Sequence, residues 1–308
     1  MRISDFCRFA IGACGAVAML AGCSGGSPLA STSIHENGAA RQGARSWMAP
    51  DAKKNNLLYV SDFYGNDVLV FSYPSGTPVG TLTGISEAQG VCTSNRSKGN
   101  WWVVATGSNE ILEFAHGGTT PIAVVNVTAG QPAGCAVDPT TGSLAATILS
   151  TNEVVVYKKG AGPGTTYMTP ITPFFCGYDN KGNLFVDGSG PVPLVELPKG
   201  GSSFESITLD QTIEFSGGVA WDGTYLAIGD QETSSIYQFT ISGSSGTKVG
   251  TTPLLGGDAG GFWIHKRNVI APQTDAVGIW KYPAGGSPVK LITGGFEDPV
   301  GVTISVAK

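Results

Sequence analysis

The chain has 308 residues with 18 basic and 23 acidic side chains, a formal net charge of −5, and only 13% charged residues. No basic stripe exists for a phosphate backbone, so nucleic-acid binding has no electrostatic support. The 45 glycines would suggest disorder in a featureless chain, but here they recur in register between β-branched runs, which argues for a folded, all-β protein.

Residues 1–22 read as an export signal. Arg2 and Arg8 precede an apolar stretch from Phe9 to Ala21, too short for a permanent membrane span and ending in small residues. The following Leu20-Ala21-Gly22-Cys23 resembles the lipobox of bacterial lipoproteins, in which the peptide is cut before Cys and the thiol carries a diacylglycerol. That resemblance implies lipidation of Cys23 and an exported protein anchored to the cell envelope. Ser24 then implies the outer membrane in a diderm bacterium, whereas an ordinary secretory signal would instead leave a secreted or periplasmic protein. Loss of the signal, which carries Arg2, Asp5 and Arg8, takes the net charge from −5 to −6. Residues 23–50 are rich in Ser, Gly and Ala without strand or helix periodicity and read as the acylated Cys plus a flexible tether, with a reach of roughly 30 Å.

From residue 51 to residue 308 one pattern recurs six times. A β-branched run begins at Leu58, Trp102, Leu144, Leu184, Leu226 and Val269, with spacings of 44, 42, 40, 42 and 43. The run after it ends at Phe71, Phe114, Tyr157, Leu197, Phe239 and Tyr282, spaced 43, 43, 40, 42 and 43. Two independent markers therefore keep the same step. A Gly/Pro-rich turn follows, clearest where Tyr73-Pro74-Ser75-Gly76-Thr77-Pro78-Val79 is echoed by 282–289. Each unit thus holds about four strands, and a repeat near forty predicts a six-bladed β-propeller of four-stranded antiparallel blades.

The first run of each unit is the most regular: Gly90-Val91-Cys92-Thr93, Gly134-Cys135-Ala136-Val137, Phe175-Cys176-Gly177-Tyr178, Gly218-Val219-Ala220-Trp221, Gly261-Phe262-Trp263-Ile264 and Gly301-Val302-Thr303-Ile304. Small residues on one face suit a strand that converges on an axis, so this run is expected innermost, with Trp263 breaking the rule. The chain enters on a second-type run and leaves on a first-type run at 300–306. The C-terminal strand is therefore expected to complete the first blade and close the ring, removing an exposed edge.

Three cysteines, Cys92, Cys135 and Cys176, fall in adjacent inner strands. Equivalent atoms of neighbouring strands are expected to lie beyond the roughly 7 Å Cα limit for bridging, so buried thiols are favoured over a disulfide. No Cys-x-x-Cys or Cys/His cluster points to zinc.

Repeated aspartates are expected to be structural. Asp138, Asp179 and Asp222 open tight turns after the first run, and Asp62, Asp187 and Asp230 end second strands at matching positions, where bracing of a loop is favoured over ligand binding. Residues that do not repeat are better candidates, because symmetry does not explain them. The loops entering the first runs carry Glu87, Gln89, Gln131, Asp210, Glu214, Asp258, Glu297 and Asp298 around one mouth. Of these, Glu87, Gln89, Glu214, Asp258, Glu297 and Asp298 form the candidate ligand or metal site, and such a mouth could hold Ca²⁺ or another divalent cation. The competing reading is solvated surface of an acidic protein, and no cofactor is otherwise expected.

Nucleophilic catalysis has little support. Only His35, His116 and His265 exist, and no Gly-x-Ser-x-Gly elbow accompanies them. Trp101, Trp102, Trp221 and Trp280 occupy strand positions expected in the core.

The segments 179–188, Asp-Asn-Lys-Gly-Asn-Leu-Phe-Val-Asp-Gly, and Pro299-Val300-Gly301-Val302-Thr303-Ile304 resemble NHL-repeat six-bladed propellers, and Tyr64-Gly65-Asn66-Asp67-Val68-Leu69-Val70-Phe71 is the best single match. The resemblance covers about residues 55–308. It implies the fold and hardly constrains activity, since such propellers include lactonases, lyases, receptor ectodomains and pure scaffolds. The related gluconolactonase-type enzymes open a strand with Glu-Gly-Pro for their first metal ligand, and this chain lacks that segment. The expected function is a membrane-tethered, extracytoplasmic binding or interaction propeller with no evident catalytic residue. Its partner would be an unidentified protein or a small-molecule or carbohydrate ligand, with membrane contact through the lipid anchor alone. The alternative is a metal-dependent hydrolase or lactonase working at the acidic mouth.

Overall fold

The computed structural model describes residues 45–93 and 99–307; the expected signal, Cys23 and the tether up to residue 44 lie outside them. The described residues form strands almost throughout, with three single turns of 3-10 helix. Strands β1 (Trp47–Met48), β2 (Asn56–Asp62), β3 (Asp67–Tyr73) and β4 (Thr77–Thr83) join β25 (Pro299–Ser305) in a sheet ordered β1-β4-β3-β2-β25. Strands β5 (Ala88–Thr93), β6 (Trp101–Ala105), β7 (Glu110–Phe114) and β8 (Pro121–Asn126) make the second sheet. Strands β9 (Pro132–Val137), β10 (Leu144–Ile148), β11 (Glu153–Tyr157) and β12 (Thr165–Met168) make the third.

An eight-stranded sheet follows, of two antiparallel halves: β13 (Thr172–Tyr178), β14 (Leu184–Ser189), β15 (Leu194–Leu197) and β16 (Glu205–Leu209), then β17 (Ser216–Trp221), β18 (Leu226–Asp230), β19 (Ser235–Ser242) and β20 (Ser245–Pro253). The last sheet holds β21 (Trp263–His265), β22 (Asn268–Pro272), β23 (Ala276–Lys281) and β24 (Lys290–Thr293).

Four of the six pairs of repeat markers are cross-strand partners, whereas in the last sheet Val269 pairs with Trp280 and Tyr282 lies just past β23. Leu58 pairs with Phe71, Leu144 with Tyr157, Leu184 with Leu197 and Leu226 with Phe239. In the second sheet Phe114 pairs with Trp101 rather than Trp102. Both tryptophans are buried, Trp101 against the first sheet and Trp102 against the third, so apolar character alone does not set the phase there.

Burial on both faces explains why second runs read as continuous apolar stretches rather than alternating ones. Leu57 and Tyr59 pack with Trp101 and Val103, while the intervening Leu58 and Val60 pack with Ile270 and Ile279 of the last sheet. Further apolar layers join the second sheet to the third, the third to β13–β16, β13–β16 to β17–β20, and β17–β20 to the last sheet. The arrangement is propeller-like, with sheets packed face to face around a cycle.

First strands meet at the centre of that cycle. A Cβ added to Gly301 would lie 2.6 Å from the Gln89 carbonyl, one on Gly90 2.4 Å from that of Ala133, and one on Gly134 2.6 Å from that of Phe174. Gly177, Gly218 and Gly261 stand in the same way 2.3 Å from Val219 O, 2.5 Å from Gly260 O and 2.4 Å from Val300 O. Glycine recurs here because any side chain would strike a neighbouring main chain. A register shift interrupts the pairing at the entry end of β5, β9, β13, β17 and β25. The C-terminal strand β25 pairs antiparallel with β2 from Leu57↔Ser305 to Asp62↔Pro299.

Three expectations need correction. Cys92 and Cys135 form a disulfide with Cα atoms 5.9 Å apart, leaving Cys176 free and buried. The glycines bring β5 and β9 closer than blade spacing suggests, and the two cysteines sit one position out of phase, so the offset residues face each other. Residues expected in the tether also join the fold: Trp47 and Met48 pair with Thr81 and Gly80, and the Ser46 hydroxyl accepts the Thr83 N–H at 3.0 Å. The first sheet thereby gains a fifth strand. Finally, β16 and β20 pair in parallel through Thr208↔Ser245 and Leu209↔Gly246, merging two four-stranded halves. The β19–β20 hairpin is long enough to reach its neighbour, and Gly246 admits Leu209 where a Cβ would come within 2.5 Å of it.

Candidate functional site

The loops entering the first strands are held by buried carboxylates. Asp62, Asp187 and Asp230 are each 0% exposed. Asp62 accepts the main-chain N–H groups of Asp298 at 2.6 Å and Glu297 at 2.8 Å. Asp230 accepts those of Glu214 and Phe215, both at 3.2 Å, and that of Glu232 at 3.1 Å. Asp187 accepts the N–H of Phe175 at 3.2 Å. Burial pushes its carboxyl well above the usual carboxylate range, against the opposing pull of its N–H donors. These aspartates brace loops, as their repetition suggested.

Hydroxyls stitch successive units together. Ser61 donates to the Gln89 carbonyl, Thr106 to that of Pro132 at 2.8 Å, and Thr147 to that of Phe174 at 2.9 Å. A hydrogen-bonded frame results, on which loop side chains stand.

The candidate residues are distributed over this frame. Glu87 adopts φ 49° with its N–H on Asn66 Oδ1 at 2.9 Å. The Gln89 side-chain amide lies 2.9 Å from the Thr106 hydroxyl and so belongs to the bracing. Asp258 accepts the Gly260 N–H at 2.8 Å, and burial raises its pKa. Glu297 is exposed and adjoins Asp298, the main-chain N–H groups of both being pinned by Asp62. Gln131 is exposed on a separate loop. Asp210 and Glu214 lie together on the β16–β17 connection. Among the described residues no group of three or more His, Cys, Asp or Glu side chains is placed to hold a metal ion.

Asp210 and Glu214 border a cleft of about 570 Å³ between the β14–β15 and β16–β17 connections. Phe174, Val192, Ile213 and Phe215 supply apolar walls. Sequence reasoning singled out the two acids without the cleft. The available signal was Pro191 and Pro193, which lack the N–H for a ladder; β15 accordingly starts only at Leu194 and is four residues long, leaving 190–193 outside the sheet.

The histidines have structural surroundings. His116 Nδ1 lies 2.7 Å from the Ser305 hydroxyl, which itself donates to the Gly99 carbonyl. This contact ties β25 to the turn after β7. Burial lowers the pKa of His116 and of His265, whose ring packs edge-on against Tyr73 with centroids 5.4 Å apart.

No family model and no curated protein matches the sequence. Solved structures do match the fold. A chain of a nidogen/laminin complex superposes with a TM-score of 0.68 at 13% identity, covering 82% of this chain and all of that one. A functionally unknown protein from Desulfotomaculum acetoxidans DSM 771 gives 0.60 at 14%, over 86% and 89% of the two chains. A streptogramin B lyase gives 0.52 at 15%, over 80% and 76%. At such identities the likeness concerns the fold alone. By its own strand pairing and by these comparisons, the chain is an all-β protein of β-propeller-like fold.

Proposed function

We propose that this chain is a binding or interaction propeller of the NHL-repeat type, displayed outside the cytoplasm and held to the cell envelope by lipid on Cys23. The proposed count is six blades. Six mutually close first strands support it, and in that count the eight-stranded sheet is two blades joined at β16 and β20. The observation that carries the binding reading is the division of labour at the loops. Buried Asp62 and Asp230 hold the main chain rigid while the side chains of Glu297 and Glu214 are left exposed, which is how a preorganised recognition surface is built. The nidogen/laminin neighbour is a protein–protein complex, which is compatible with a protein partner.

The mature chain and its Glu214→Lys/Glu297→Lys variant would be immobilised and compared as baits for glycans and for exported proteins of the same cell. A ligand retained by the wild type and lost by the variant, at unchanged melting temperature, supports the reading. Retention by both, or metal-dependent turnover of a lactone or ester, overturns it. For the anchor, palmitate labelling of the wild type and its loss in Cys23→Ala is the expected result; equal labelling of both would refute lipidation at that residue.

A further inference from the structure

We infer that the cleft between the β14–β15 and β16–β17 connections takes an organic cation, a ligand with an apolar or aromatic body and one ammonium or guanidinium group. This assignment rests on the binding reading above and names its ligand class. The cleft, of about 570 Å³, is half open to solvent and has room for a small ligand. Its lining includes two carboxylates and no Lys, Arg or His.

The two carboxylates differ in what they already hold. Asp210 accepts the main-chain N–H of Lys248 at 2.7 Å, and the Lys248 ammonium donates to the neutral Gln211 side chain beside it. Glu214 has its main-chain N–H fixed on Asp230 at 3.2 Å while its carboxylate is exposed, with no cationic partner among the described residues. One uncompensated carboxylate on a braced loop therefore faces a cleft walled by Phe174, Ile213 and Phe215. The carboxylate at the rim attracts cations and repels anions, while the apolar walls take the body of the ligand. A neutral ligand would use the walls alone, and an anion would meet Glu214.

Three nearly isosteric probes separate these cases: phenethylammonium, 2-phenylethanol and phenylacetate, titrated into the mature chain and followed by NMR. Because Glu214 is exposed, its contribution is that of a surface charge pair. The cation should bind about three- to fivefold more tightly than the alcohol, phenylacetate should bind worst, and the preference should vanish near 1 M salt. Glu214→Gln should bring the cation level with the alcohol, and Phe174→Ala should weaken both, each at unchanged melting temperature. Equal binding of the three probes, preference for the anion, a cation preference that survives Glu214→Gln, or no binding up to the solubility limit would overturn the assignment. Failure of the binding reading looks different: the cation preference would stand while glycine phenethyl ester, which carries an ammonium and a cleavable bond, is hydrolysed by water to glycine and 2-phenylethanol. Recovery of the ester intact supports both.

Discussion

The strand that closes the cycle provides a demanding test, because it joins residues almost 250 positions apart. Deleting residues 299–308 removes β25 from between β2 and the first strands on either side of it. Val302 and Ile304 are 2% and 3% exposed, and burial of two such side chains contributes about 3–6 kcal/mol. The deletion also leaves buried groups unmatched. Thr93 loses the Thr303 hydroxyl at 3.1 Å, His116 loses Ser305, and the β2 main chain loses its ladder. Each such group costs about 1–3 kcal/mol when stranded away from water. The combined loss reaches or exceeds a typical total stability of about 5–15 kcal/mol. Thermal unfolding followed by circular dichroism should therefore show no cooperative transition for this variant. An N-terminal deletion gives the contrast: removal through residue 45 should leave the melting temperature nearly unchanged. Removal through Ala49, which strips the half-buried Met48 from β4, should cost about 1–2 kcal/mol and a few degrees. A C-terminal truncation that melts cooperatively within a few degrees of the intact protein would refute closure by β25.

Three other outcomes follow from particular contacts. The Cys92–Cys135 bridge spans 43 residues, so Cys92→Ala/Cys135→Ala should lose about 4 kcal/mol by the loop-entropy relation, a fall of about 8–16 °C; calorimetry that finds the variant and wild type alike would argue against the bridge. Asp230→Ala leaves the N–H groups of Glu214, Phe215 and Glu232 without their acceptor and should destabilise by at least about 3 kcal/mol while weakening phenethylammonium binding; a stable variant with unchanged affinity would mean that the loop is held by other contacts. Burial lowers the pKa of folded His116 below its ordinary value near 6.5, so in the window just below 6.5 the unfolded chain binds a proton that the folded protein does not, and stability from this residue rises with pH through that window. Melting temperatures of His116→Gln measured from pH 5 to 7.5 should accordingly rise less steeply than those of the wild type, and a steeper rise would reverse the assigned sign.

How much was legible in the sequence depended on the range of the physics involved. Apolar runs and the spacing of Leu58 from Phe71, Leu144 from Tyr157 and Leu226 from Phe239 are local properties, and they located second and third strands and their partners. The repeated aspartates were legible as braces for the same reason: a residue present in successive units answers a need of the scaffold. Even there, two buried tryptophans in succession left the phase of β6 open, since both faces of that strand are apolar. Of the candidate site, the sequence by itself determined which acidic residues stand on entry loops, but not which of them meet. Only the tertiary structure decided that Cys92 and Cys135 come within 5.9 Å, that Trp47 and Met48 add a strand to β4, that β20 reaches β16, and that Asp210 and Glu214 share one cleft while Glu87 and Asp258 stand elsewhere. Each of those outcomes depends on how closely two main chains approach at a glycine or how far a hairpin extends, and no periodicity within a single segment encodes the distance between two.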